Sequence, residues 1–140
     1  MNGVDPAAGY MPLNNDLALS ALMVEVVKEN IPGNSGVFQI KQSFAKSSTD
    51  MGDVSAIMPI LHASIPGGGG HSHGTDYFIA DKKKAYLDNT KILALMAVEL
   101  LYGDAARGKK IAADRDGKLP IGEYVRRTDA FNRHETFNEK

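Results

Sequence analysis

The first regular pattern of apolar side chains predicts an amphipathic helix that ends before Pro32. Asn15 or Asp16 can accept hydrogen bonds from the free backbone N–H groups at its start. Apolar residues then recur at three- and four-residue spacing, which predicts that one face of the helix is buried. These residues are Leu19, Leu22, Met23, Val26 and Val27. Pro32 stops the helix because proline cannot donate to the helical ladder and disfavours helical geometry in the residue before it.

A second helix is predicted over residues 88–102. Asn89 or Thr90 supplies its cap, and Gly103 supplies a left-handed stop. Residues 92–101 are apolar on nearly every side except at Glu99. We therefore expect protein to cover most of the circumference of this helix.

Two short apolar runs between these helices are predicted as strands. The first covers residues 36–40, and the second is a buried strand centred on residues 60–63 that follows a helical turn. Residues 43–53 are dense in turn formers and predict an ordered loop. Residues 66–74 include four consecutive glycines, which no regular element is expected to tolerate. The order of helix, strand, loop, strand, loop and helix indicates the α/β class.

Composition narrows the range of partners. The chain has 140 residues, 43% of them apolar, which is enough for one globular domain. Its net charge of -1 argues against nucleic acid and anionic membranes as partners. Without cysteine, any metal must be bound through His, Asp or Glu. No apolar run reaches the roughly 18 residues of a membrane-spanning helix, and we expect a soluble, cytoplasmic protein.

Candidate chemistry begins with His71 and His73, which directly follow the glycine run. Glycines let the backbone bring an imidazole close to a partner, and a nearby acceptor such as Asp76 could fix the tautomer of a metal-ligating histidine. The alternative is a flexible surface linker with incidental histidines, because a His-x-His pair without further ligands is a weak motif. His62 lies in an apolar run and is interpreted as a hydrogen-bonded core histidine.

Thr49, Asp50 and Asp53 lie close together in the predicted loop of residues 43–53. Two carboxylates three residues apart could act as metal ligands, as a base, or as binders of a substrate amine. The same residue types also form turns, so the residues alone leave both interpretations open.

Three strings, taken in order, resemble the C-terminal part of the zinc-dependent amidohydrolases and carboxypeptidases. They are Gly-Tyr-Met-Pro-Leu-Asn-Asn-Asp at residues 9–16, Ser-Ser-Thr-Asp-Met-Gly-Asp-Val-Ser at residues 47–55, and Gly-His-Ser at residues 70–72 followed by Asp76 and Tyr77. The superfamily includes aminoacylases, carboxypeptidase G and indole-acetyl-amino-acid hydrolases. The second string is the most specific and is similar to the aminobenzoyl-glutamate hydrolase branch.

The resemblance implies an organisation in which the chain is the second segment of a catalytic domain with a mixed sheet. Residues 1–10 would be the end of an inserted, dimerising domain, residues 11–103 the C-terminal segment of the catalytic domain, and residues 104–140 a charged peripheral tail. The fold would be incomplete without its N-terminal half. It also implies two zinc or manganese ions, with His71 as the final metal ligand and Thr49 and Asp50 at the border of the substrate pocket.

The family also has a His-x-Asp ligand pair and a Glu-Glu pair whose first glutamate is the general base, and this sequence contains neither. We therefore expect no catalytic residue within the chain and no activity from the chain alone. The complete form would hydrolyse the amide bond of N-acyl or N-aroyl amino acids, with a glutamate outside this chain taking the proton of a metal-activated water. Expected partners are the N-terminal catalytic segment or a second copy. The alternative function is a non-enzymatic binding or assembly module.

Overall fold

The computed structural model describes residues 2–4, 9–33, 49–131 and 135–137. Within these residues there are four α-helices and two two-stranded antiparallel sheets. The helices are α1 (Leu17–Asn30), α2 (Met51–Ile57), α3 (Asn89–Ala113) and α4 (Ile121–Asp129). The strands are β1 (Asn2–Val4), β2 (Gly68–Gly69), β3 (Phe78–Ile79) and β4 (Glu135–Phe137), where β1 pairs with β4 and β2 pairs with β3. The mixture of helices and short strands agrees with the α/β class in its coarse sense.

The main hydrophobic core lies between α1 and α3. It consists of Leu22, Met23, Val26, Val27, Ile31, Ile92 and Met96. Helix α1 begins as the sequence predicts, because the Asp16 carboxylate accepts a hydrogen bond from the Leu19 N–H at 2.9 Å. Each fully buried side chain of this type contributes about 1.5–3 kcal/mol of hydrophobic free energy, so this helix pair dominates the packing of the described residues.

The start of the second helix differs from the prediction. A π-helical turn over Lys83–Asp88 precedes α3, and Asp81 caps it by accepting a hydrogen bond from the Lys84 N–H at 3.0 Å. Neither Asn89 nor Thr90 caps the helix, because the helical backbone already begins before them, next to Asp81. Within the π-helical turn, Lys83 forms an ion pair at 2.5 Å with the buried carboxylate of Asp88.

The stop at Gly103 is confirmed as a break within α3. Gly103 has a φ of 60°, and Asp104 and Ala105 after it are also left-handed. The chain then resumes a helix that continues to Ala113. Arg107 spans the break by pairing with Glu99 at 3.2 Å and with Glu25 of α1 at 2.6 Å.

The expected burial of α3 on nearly all sides is wrong for the described structure. Only its Ile92 and Met96 are buried, whereas Leu93 is 62% exposed and Leu101 is 69% exposed. The reason is that α1 covers one face of α3 and leaves the opposite face open to solvent. We call this exposed surface the α3 apolar face, defined by Leu93, Val98, Leu101 and Tyr102.

Residues 58–65 are not a strand, contrary to the prediction. They run without regular structure, although Met58 is extended and Ile60 is buried. The Asp16 N–H donates to the Ile60 carbonyl at 2.8 Å, and the Asn15 side chain both accepts from the His62 N–H and donates to its carbonyl. The Asn15 side chain thus makes hydrogen bonds of the kind that a neighbouring strand would make in a sheet. The strand predicted over residues 36–40 lies outside the described residues.

The glycine run does contain regular structure, which corrects the prediction for residues 66–74. Gly68 and Gly69 form β2 and pair with Ile79 and Phe78 of β3. A Cβ added at Gly68 would lie 2.5 Å from the Tyr77 hydroxyl, and one at Gly69 would lie 2.8 Å from the Phe78 ring. The glycines therefore let two aromatic rings lie directly over the backbone, and the hairpin fixes the loop between its strands.

No helix among the described residues combines the length and the apolar character needed to cross a lipid bilayer.

Candidate functional site

The loop between β2 and β3 carries the candidate metal ligand. Gly70 has a φ of 78°, and a Cβ at this position would overlap the Asp76 carbonyl oxygen. The Gly74 N–H donates to the His71 carbonyl at 2.8 Å, and the Tyr77 N–H donates to the Gly74 carbonyl at 3.3 Å. These two successive turns fold the loop back on itself, so that Asp76 lies next to His71.

His71 and Asp76 form a hydrogen-bonded pair. The imidazole Nδ1 lies 2.7 Å from one carboxylate oxygen of Asp76, and the His71 backbone N–H donates to the other at 3.3 Å. The His71 side chain is 90% exposed and that of Asp76 is 54% exposed. The imidazole hydrogen bond, supported by the backbone N–H of His71, holds the pKa of Asp76 below its usual value. The carboxylate is therefore ionised at neutral pH and acts as an acceptor.

The remaining ring nitrogen of His71, Nε2, is open to approach. In the part of the chain that the structure describes, no group is hydrogen-bonded to it, and no cluster of three or more His, Asp or Glu side chains could hold a metal ion. A catalytic zinc takes about three protein ligands and a water. The described residues therefore do not form a complete zinc site, and the role of His71 as a metal ligand stays a prediction.

His73 occupies the same loop but has a different environment. It has a φ of 62°, in the left-handed region that histidine adopts only at a cost, and its side chain is exposed. No carboxylate hydrogen-bonds its ring among the described side chains, so the loop gives His71 a partner that it does not give His73.

Thr49 and Asp50 lie at the beginning of α2. The Thr49 hydroxyl lies 3.3 Å from an Asp50 carboxylate oxygen, and Asp50 is exposed at the helix start without a side-chain cap bond. None of the described hydrogen bonds connects this pair to the His71 loop. A cavity of about 290 Å³ between α1, residues 58–59 and the second half of α3 has neither of them in its lining. Their predicted place at a substrate pocket stays a prediction.

Asp53 and Ser55 have structural partners. The Asp53 carboxylate accepts from the Met11 N–H at 2.9 Å, and the buried Ser55 hydroxyl accepts from the Asn14 N–H at 3.1 Å. The pKa of Tyr124 is raised, first by desolvation and then by the nearby Asp53 carboxylate. The structural roles of Asp53 and Ser55 do not follow from the local sequence, because their partners Met11 and Asn14 lie 42 and 41 residues away.

The first two strings of the resemblance thus pack against each other. Gly52 lies at the centre of their contact, where an added Cβ would overlap the Met11 carbonyl oxygen. The tail also contacts α2, since the Leu119 N–H donates to the Ala56 carbonyl at 2.7 Å and Lys118 donates to the Ser55 carbonyl at 2.9 Å.

One further histidine lies within the described residues, His62, and it is not part of the site. The interpretation of His62 as a core histidine is wrong, because its side chain is exposed and only its backbone is held by Asn15. Its neighbours Ile60 and Leu61 take the inward positions. His134 lies outside the described residues.

Comparisons of the chain with family models, with curated proteins and with solved structures gave no significant match.

Proposed function

We propose that the chain is the C-terminal segment of a metal-dependent amidohydrolase that cleaves the amide bond of N-acyl or N-aroyl amino acids, such as aminobenzoyl-glutamate. The observation that carries this proposal is the loop of residues 70–77, which presents the exposed imidazole of His71 with one ring nitrogen open. Histidine is the commonest protein ligand for zinc-like ions. The three strings that resemble the family support it further, because two of them interlock around Gly52 and the third forms this loop.

In this proposal the chain contributes one ligand and part of the substrate pocket. His71 would hold one of two zinc or manganese ions through Nε2, and Thr49 and Asp50 would offer hydroxyl and carboxylate groups to the substrate. The metal, when bound, would supply activation of water and polarisation of the amide carbonyl. The general base and the other ligands would come from an N-terminal segment bearing His-x-Asp and Glu-Glu. The cytoplasmic location and the association with an N-terminal segment or a second copy, both expected from the sequence, stay predictions.

The experiment is to assay hydrolysis of aminobenzoyl-glutamate and of N-acyl amino acids with added Zn²⁺ or Mn²⁺. The chain is tested alone and after co-expression with the candidate N-terminal segment. We expect activity only from the complex, and loss of that activity with His71→Ala but not with His62→Ala, an exposed histidine outside the loop. Thr49→Ala and Asp50→Asn should raise KM without reducing metal content.

A second candidate function is a non-enzymatic assembly module. The exposed α3 apolar face favours it, because such a surface binds a partner without requiring any chemistry. An assembly module would be inactive in both assays while still forming the complex. Hydrolysis by the complex would reject this alternative.

A further inference from the structure

The geometry of the His71 loop also bears on which ring nitrogen can bind a metal. Because a carboxylate can only accept a hydrogen bond, the 2.7 Å contact with Asp76 requires a proton on His71 Nδ1. A neutral imidazole with its proton on Nδ1 has its lone pair on Nε2. The contact therefore selects the tautomer whose free lone pair lies on the solvent-exposed nitrogen.

Several features of the loop hold Asp76 in this position. The His71 backbone N–H donates to the second carboxylate oxygen, so His71 forms hydrogen bonds with both oxygens of Asp76. A Cβ at Gly74 would overlap that same second oxygen, so the glycine leaves room for the carboxylate. The turns that end at Gly74 and Tyr77 fix the backbone on either side of it.

The pair has little to contribute to folding stability. Both side chains are more than half exposed, and solvent-exposed ion pairs contribute little to stability. A loop that places two glycines and a carboxylate around an exposed imidazole is therefore better explained by the orientation of that imidazole than by stability. Carboxylates that accept from the second nitrogen of a metal-bound histidine fix its tautomer and ring orientation in the same manner.

We propose that Asp76 is a positioning residue that fixes His71 in the tautomer with a proton on Nδ1 and directs Nε2 to the metal. This inference rests on the proposed function for the presence of the metal. The selection of the tautomer itself is a property of the metal-free chain.

The first test is the ring ¹⁵N spectrum of the full chain, labelled at histidine and recorded about two pH units above the usual histidine pKa of about 6.5. The His71 signals are assigned by their loss in His71→Ala. We expect the wild type to show protonation mainly at Nδ1, and Asp76→Ala to shift the proton mainly to Nε2. Asp81→Ala is the matched control, since Asp81 also accepts a backbone N–H but has no histidine partner.

The second test measures the Zn²⁺ affinity of the complex with the N-terminal segment. We expect Asp76→Ala to weaken binding of one ion about 10- to 100-fold, and Asp76→Glu to restore part of it. A wild-type His71 protonated at Nε2 would overturn the inference whether or not the variants fold. Metal binding that depends on His71 but not on Asp76 would also overturn it and leave the proposed function standing. The expected tautomer with metal binding independent of His71 would instead reject the proposed function.

Discussion

Gly52 shows how one residue without a side chain joins two distant parts of the chain. Its position in α2 brings its α-carbon against the Met11 carbonyl, while Asp53 and Ser55 of the same helix bind the N–H groups of Met11 and Asn14. The most specific string of the resemblance therefore has an observed structural role at three of its residues. Thr49 and Asp50 of the same string make only local side-chain contacts, with each other and with Met51, and their role in substrate binding stays a prediction.

Gly52→Ala should destabilise the fold, because the new methyl group overlaps the Met11 backbone and only a backbone shift can relieve it. Overpacking of this kind typically costs about 1–3 kcal/mol of unfolding free energy. Urea denaturation followed by circular dichroism measures the effect. The control is Gly122→Ala in α4, where no atom lies within 4 Å of an added Cβ and alanine should be neutral or stabilising. Equal effects of the two substitutions would contradict the packing described for Gly52.

At the scale of elements, α4 carries an ion-pair cluster of its own. The Glu123 carboxylate accepts hydrogen bonds from Arg126 and Arg127, both at 2.7 Å. These two guanidinium groups lower the pKa of Glu123 from 4.5 to about 2. All three residues lie on one face of the helix at i, i+3 and i+4.

The lowered pKa of Glu123 sets the direction of the pH dependence. Because the pKa is lower in the folded chain than in the unfolded chain, the stabilisation is present above about pH 4.5 and is lost as the pH falls towards 2. An NMR titration of the Glu123 carboxyl carbon should give a midpoint near 2. Glu123→Gln should remove this contribution to the acid sensitivity of α4, whereas Glu29→Gln, at an exposed position of α1, should keep it. A midpoint at 4.5 would contradict the pairing.

The elements also show what the sequence could predict. Helix α1, its Asp16 cap and the left-handed Gly103 follow from local rules, because a cap or a left-handed turn depends on residues a few positions away. The strand expected at residues 60–63 is absent because a strand needs a neighbour, and there the neighbour is the side chain of Asn15.

The candidate site, too, was predictable only where its contacts join residues that are close together in the chain. The approach of Asp76 to His71 occurs within the loop of residues 70–77, whose glycines were visible in the sequence. The roles of Asp53 and Ser55 were not predictable, since their partners Met11 and Asn14 are 42 and 41 residues away. The apolar pattern of α3 also does not show which face of the helix another element would cover.

At the scale of the whole molecule, the α3 apolar face is the feature that differs most from the surface of a monomeric domain. Leu93, Val98, Leu101 and Tyr102 are between 56% and 83% exposed. Monomers rarely expose a contiguous apolar patch larger than a few hundred Å². In the proposed enzyme this surface would be covered by the N-terminal segment or by a second copy.

The isolated chain should therefore self-associate. Light scattering and sedimentation are expected to give a mass above the 15.1 kDa of the monomer. Leu93→Glu combined with Leu101→Glu should shift the distribution to the monomer, because both side chains are exposed and each new charge opposes burial of the face. Lys109→Glu, at an exposed polar position of the same helix, should leave self-association unchanged. A monodisperse wild-type monomer would contradict this expectation.

The central claim is that His71 supplies one metal ligand of a site shared between two polypeptide segments. Its most direct test is the number of zinc or manganese ions per complex of this chain with the N-terminal segment, measured by elemental analysis after removal of free metal. We predict two ions for the wild type and for His62→Ala, and fewer for His71→Ala. Two ions retained by a folded His71→Ala complex would contradict the claim.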